Sequence, residues 1–121
     1  MNYDVCFLED NADYKIFFRS LIPKYIAYVI LKDGRDLQEY LNRGDDARLY
    51  FLDDHVQDKE GKVDFHFIKH CSQLLEERPC ARILYIGSTP GKKEREYCSE
   101  NSVEIVEREE FLGVIKREFS K

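Results

Sequence analysis

The sequence lacks the marks of several large functional classes. Its 121 residues contain no basic block, and Lys plus Arg number 19 against 24 for Asp plus Glu, a formal charge of −5. A net acid without a basic stripe has no electrostatic footprint for gripping phosphate backbones, so no nucleic-acid partner is expected. The longest strongly apolar run, residues 25–31, is far short of the roughly 20 residues that a helix needs to cross a bilayer, so no membrane partner is expected either. The opening residues, Met1-Asn2-Tyr3-Asp4, lack the positive flank of a secretory leader, and a cytoplasmic location is the expectation. No two of the four cysteines, Cys6, Cys71, Cys80 and Cys98, form a C-x-x-C pair, and their spacings match no zinc pattern. They read as small apolar residues of a reducing compartment. Internal repeats, linkers and low-complexity segments are also missing.

What is present is a chain of one-domain length, given roughly 100–200 residues per domain. Such a chain buries about two-thirds of its unfolded surface, enough for a core without covalent staples. A hydrophobic fraction of 43% beside 36% charged residues excludes a disordered tail.

Short apolar runs alternate with helical periodicity along the chain. Tyr3-Asp4-Val5-Cys6-Phe7-Leu8 reads as a buried strand that stops at Glu9-Asp10. Asn11 and Asp13 are capping types, and Tyr14, Phe17, Phe18, Leu21 and Ile22 follow at helical spacing until Pro23. Residues 25–31 are β-branched and aromatic, a second strand. Asp33-Gly34 turns into a helix striped by Leu37, Tyr40 and Leu41, which Gly44 ends. Leu49-Tyr50-Phe51-Leu52 is a third strand, and it too stops at acids, Asp53-Asp54. After Gly61 comes a helix with Phe65, Ile68, Leu74 and Leu75 expected inward, ended by Pro79. Residues 83–86 form a fourth strand, 92–98 a short polar helix, 103–106 a fifth strand, and Phe111, Leu112 and Ile115 face inward on a last helix. Five β-α units with short links predict a parallel sheet covered by helices on both faces. Right-handed crossovers leave few topologies, and the doubly wound, flavodoxin-like (βα)5 order 2-1-3-4-5 is a common one.

Ligands of open parallel sheets bind beyond the carboxyl ends of the strands. In this order strands 1 and 3 are neighbours, so Glu9, Asp10 and Asp53 are expected to converge. Carboxylates held together repel, and a hard cation such as Mg²⁺ relieves that repulsion. A carboxylate in such a site can also attack phosphorus. His66 and His70, spaced i, i+4 beside Cys71, would bind a metal only if a third ligand joined them, and a helix face accounts for them as well. The segment Gly87-Ser88-Thr89-Pro90-Gly91 lacks the spacing of a phosphate-binding loop and reads as a turn into a helix.

These features together resemble the receiver domains of two-component response regulators over nearly the whole chain. The resemblance rests on Phe7-Leu8-Glu9-Asp10-Asn11, on Leu52-Asp53, on Gly61 eight positions later, on Lys32-Asp33-Gly34 with Leu37 and Leu41, and on Val106-Glu107-Arg108 with Phe111. It implies that Asp53 accepts a phosphoryl group from a histidine kinase or phosphotransfer protein, with the adjacent Asp54 the alternative. It also implies a Mg²⁺ site of Asp10, Glu9 through water, Asp53 and the backbone carbonyl of His55. Arg108 stands where the family has a lysine, and a planar fork is not a conservative exchange for an ammonium. Counting back from Arg108 puts Ile86 at the family's hydroxyl position, with Ser88 a substitute only if the loop is rearranged. Gly87 takes the small-residue position, Ile105 stands where the family has its switch aromatic, and Val56-Gln57 where a proline is common.

The chain is therefore expected to be one receiver-like domain, 1–121, with no output domain. It is expected to signal by binding an unidentified downstream protein, a homodimer being compatible, and to catalyse at most its own Mg²⁺-dependent phosphoryl transfer and dephosphorylation. The alternative is a degenerate receiver that binds partners without phosphorylation. A small aspartate-nucleophile phosphohydrolase fits poorly, because 121 residues leave little room for a cap segment.

Overall fold

A computed structural model of the chain describes residues 1–53, 66–87 and 89–120. The element order is β1 (Asn2–Leu8), α1 (Ala12–Leu21), β2 (Tyr28–Leu31), α2 (Gly34–Asn42), β3 (Asp46–Leu52), α3 (Phe67–Glu77), β4 (Ile83–Tyr85), α4 (Lys92–Glu100), β5 (Glu104–Ile105), a 3-10 turn (Arg108–Glu110) and α5 (Phe111–Phe119). The five strands form one sheet in the order β2-β1-β3-β4-β5, every neighbouring pair parallel. The expected doubly wound (βα)5 fold is the fold observed.

Strand alternation sorts the core into two layers, because successive side chains leave opposite faces of a sheet. Cys6, Leu8, Tyr50, Leu52, Ile83 and Tyr85 pack on one face with Leu37, Tyr40 and Leu41 of α2, Phe67, Cys71 and Leu74 of α3, and Cys98 of α4. Val5, Phe7, Leu49, Phe51, Leu84 and Ile86 pack on the other with Phe18 of α1 and Phe111, Val114 and Ile115 of α5. Phe7 anchors the second layer, its ring stacked on Phe18 at 4.5 Å and on Phe51 at 5.2 Å, with Phe111 edge-on at 5.9 Å. The first layer carries a polar thread instead: the Tyr40 and Tyr50 hydroxyls lie 3.0 Å apart, and Tyr50 donates to Asp46 Oδ1 at 2.7 Å.

Local chemistry ends each element. The Asn11 side chain accepts from the amides of Asp13 and Tyr14, and that of Asp33 from Asp36, the side-chain caps that helix starts require. Gly44, past the end of α2, has φ +76°, a conformation costly for residues with a Cβ. All four cysteines are free; three are buried and Cys80 is exposed.

Several expected bounds are corrected. The second strand starts at Tyr28, not at 25, because a turn follows Pro23: the Ile26 amide donates to the Pro23 carbonyl and Tyr25 is exposed. On α1 only Phe18 is buried, while Tyr14, Phe17 and Leu21 stay exposed at their edges. The inward positions of α3 are Phe67, His70, Cys71 and Leu74, with Ile68 and Leu75 only partly buried; Phe65 lies outside the described residues. The fourth strand closes at Tyr85, although the Ile86 amide still donates to Leu52. The polar helix α4 runs to Glu100 and buries only Cys98. The fifth strand shrinks to Glu104–Ile105 because Ser102 adopts φ 58° and Val103 bonds back to the Cys98 carbonyl.

Candidate functional site

The parallel register aligns the strand ends. Leu8 pairs with Leu31 on one side and Leu52 on the other, Leu52 with Tyr85, and Tyr85 with Ile105. The residues just past this row share the carboxyl edge of the sheet. Two backbone bonds continue the ladder there: the Glu9 amide donates to the Leu31 carbonyl at 2.9 Å and the Asp53 amide to the Leu8 carbonyl at 3.1 Å. The strand ends thus hold the backbones of Glu9 and Asp53 side by side.

Glu9, Asp10 and Asp53 converge as expected: one carboxylate oxygen from each lies within 4.8 Å of the others. Glu9 and Asp53 are buried, and Asp10 is exposed at the rim. Arg108, the first residue of the 3-10 turn, reaches across from the other end of the sequence. Its Nη2 donates to Asp53 Oδ1 at 3.0 Å and lies 3.4 Å from Glu9 Oε1. The other oxygen of Glu9, Oε2, accepts from the Asn11 amide at 3.3 Å.

Burial dominates the electrostatics of Glu9. Loss of water pushes its carboxyl up to about 8, reinforced by the negative charge of Asp53 and a hydrogen bond to it. The guanidinium of Arg108 and the Asn11 amide pull the other way without cancelling the rise. The metal-free pocket therefore favours the protonated form of the Glu9 carboxyl more than water does. Three carboxylate oxygens at this separation are hard donors, the set that suits a small divalent cation rather than a soft one.

Among the described residues this is the only such convergence of acids, histidines and cysteines. The pair His66 and His70 belongs to no such convergence there: His66 sits at the N-cap position of α3, and His70 and Cys71 are buried in its inward face. Ile86 is fully buried in the layer of Phe7 and Phe51. Ile105 is exposed on β5. Asp54, the carbonyl of His55, Val56-Gln57, Gly61 and Ser88 lie outside the described residues.

Sequence reasoning missed Tyr14 as part of the site. The ring lies against the guanidinium of Arg108, with Cζ 3.7 Å from the ring centroid. Its helical spacing marked a packing residue; its place in the first turn after an acidic strand end was the available signal.

No family model matches the chain, and no curated protein matches it. Solved structures do. The isolated REC domain of RcsB from Salmonella enterica serovar Typhimurium, solved with the phosphomimetic BeF3⁻, is 13% identical and superposes with a TM-score of 0.70, covering 97% of this chain and 85% of that one. This chain has the receiver fold. The phosphorylated cyanobacterial phytochrome response regulator RcpA shares that fold at 14% identity and a TM-score of 0.68, over 97% of this chain and 91% of that one. So does the REC domain of AraT from Geobacillus stearothermophilus, at 18% identity and 0.59, over 98% and 95%. The acidic cluster of this chain thus occupies the carboxyl edge of a receiver fold. No described helix is long and apolar enough to cross a membrane.

Proposed function

We propose that the protein is a response-regulator receiver that accepts a phosphoryl group on Asp53 from the phosphohistidine of a histidine kinase or phosphotransfer protein. The observation that carries this reading is the convergence of Glu9, Asp10, Asp53 and Arg108 at the ends of two adjacent central strands. Glu9, Asp10 and Asp53 would hold Mg²⁺, which supplies neutralisation of phosphoryl charge when bound. An Asp53 carboxylate oxygen attacks phosphorus, the P–N bond of the phosphoimidazole breaks, and the imidazole leaves with the electron pair and takes up a proton. Arg108 already donates to Asp53 Oδ1, and after transfer its fork is placed to pair with a phosphoryl oxygen. Its Nε is buried with no acceptor among the described residues, a donor that an added oxyanion would satisfy. The reaction on the chain is then limited to its own phosphorylation and dephosphorylation, and the signal passes by protein-protein binding. Two of the structural relatives were solved phosphorylated or with a phosphomimetic, which supports the reading by analogy of fold.

One observation supports a second reading, a receiver fold that binds partners without phosphorylation. Ile86 offers no hydroxyl for a phosphoryl oxygen, and its burial ties it to the core rather than the pocket. The deciding experiment is intact-mass spectrometry after incubation with Mg²⁺ and a small acyl phosphate, on wild type and Asp53→Ala. A gain of one phosphoryl mass in wild type alone is expected. A gain that persists in Asp53→Ala would move the acceptor to Asp54. No gain, from either the acyl phosphate or a phosphorylated histidine donor, would favour the binding module.

A further inference from the structure

Arg108 is held from two sides by one short stretch of chain. Glu9 and Asp53 accept from its Nη2, at 3.4 Å and 3.0 Å, while the face of Tyr14 lies 3.7 Å from its Cζ. Tyr14 is fixed in turn: its amide donates to the Asn11 side chain at 3.1 Å, and the Asn11 amide donates to Glu9 Oε2 at 3.3 Å. Residues 9–14 thus supply both a carboxyl oxygen that the guanidinium bonds to and the aromatic face that it stacks on. Both oxygens of Glu9 are engaged as a result, Oε1 by Arg108 and Oε2 by Asn11. A divalent ion entering among Glu9, Asp10 and Asp53 meets a positive charge already in place.

We propose that Tyr14 is a positioning residue that clamps Arg108 over Asp53 and Glu9 as a tethered cation, so that the ring sets how strongly Arg108 competes with a divalent ion for the acidic pocket. The proposal rests on the reading of the pocket as a divalent-cation site. Its physical basis is the ring quadrupole: a guanidinium over an aromatic face is attracted electrostatically, and an aliphatic side chain of similar bulk supplies no such attraction. A clamp of this kind shifts the competition by about 2- to 30-fold, depending on how far the contact is shielded from water. The Tyr14 hydroxyl plays no part, so phenylalanine should serve as well as tyrosine.

The test is calorimetric titration of Mg²⁺ alone into the full chain, as wild type, Tyr14→Phe and Tyr14→Leu, with folding checked by circular dichroism. Tyr14→Leu is expected to bind Mg²⁺ about 2- to 30-fold more tightly than wild type. Tyr14→Phe is expected to match wild type within about twofold, a rescue that a purely structural role for the tyrosine would not require. Equal affinity in all three proteins overturns the clamp, and so does an equal rise in Tyr14→Phe and Tyr14→Leu. If Tyr14→Leu does not fold, Tyr14→Met carries the test, because a flexible helix-forming side chain keeps bulk at this position and has no ring quadrupole. Tighter Mg²⁺ binding by Tyr14→Met supports the clamp, and unchanged binding overturns it. Failure of the underlying reading looks different: wild type and all variants would take up no Mg²⁺ at millimolar concentration, and the proposal would fall with it.

Discussion

Replacing Glu9 by glutamine should remove a pH dependence of stability that runs against the usual carboxylate trend. The Glu9 carboxyl rises from 4.5 to about 8 in the folded chain, chiefly because burial disfavours its charged form. A raised carboxyl binds its proton more tightly when folded than when unfolded. Its stabilising contribution is therefore fully present below pH 4.5 and is lost as the pH rises through about 8. Within that window the slope for one proton is about 1.4 kcal/mol per pH unit. Between pH 5.5 and 7.5 the metal-free wild type should lose about 2–3 kcal/mol through Glu9 alone. With a urea m-value of about 1–3 kcal/mol/M, this lowers the midpoint by about 1–3 M. The assay is urea unfolding in the presence of a chelator, followed by circular dichroism, at both pH values for wild type and Glu9→Gln. Glutamine keeps the shape and two polar atoms but has no proton to lose, so the Glu9→Gln midpoint should fall by much less over the same interval. Parallel midpoints for the two proteins would refute the argument, since the rise of the Glu9 carboxyl would then have no energetic weight.

Three further outcomes follow from the packing. Phe7→Ala should cost about 3–5 kcal/mol in denaturant unfolding, because the ring is fully buried and touches Phe18, Phe51 and Phe111; a loss under about 1 kcal/mol would mean that the layer collapses to fill the space. Tyr50→Phe should cost about 1–3 kcal/mol by the same measurement, since it leaves Tyr40 and the Ala47 amide without the hydroxyl that they bond. A thiol reagent at neutral pH should label only Cys80 in the folded protein and all four cysteines in denaturant. Burial hides the other three thiols and pushes Cys71 up to about 12, Cys98 up to about 11 and Cys6 higher still. Rapid labelling of a second cysteine in the native state would contradict the placement of that residue.

The elements differ in how well the sequence announces them, and the differences have causes. The first and third strands read clearly because they are central: both faces are covered, so their apolar runs are nearly continuous up to the acids that end them. The second and fifth strands are edges, where residues 25–27 and 103 are apolar for reasons other than pairing. Ile26 and Val103 pack inward from turns instead of from the ladder. On α3, Cys71 and His70 take inward positions that a hydropathy reading assigns to Leu75 and Ile68, since the distance from the sheet, not side-chain type alone, decides what is buried. Helix α4 reads correctly as the least apolar helix, and it buries a single side chain.

Run length, alternation and the order of strands and helices belong to the covalent chain, and from them alone come the five β-α units, the parallel sheet and the acids at the ends of strands 1 and 3. Those quantities are local: a period of two or 3.6 residues is visible within a window of ten. The working state of the pocket is not local. Arg108 meets Glu9 across 99 positions and Asp53 across 55, and it stacks on Tyr14 from the far side of the sheet order. No periodicity encodes a separation of that kind. The raised Glu9 carboxyl is likewise a product of folding, because desolvation and a neighbouring charge exist only once the strands pair and the 3-10 turn closes over them.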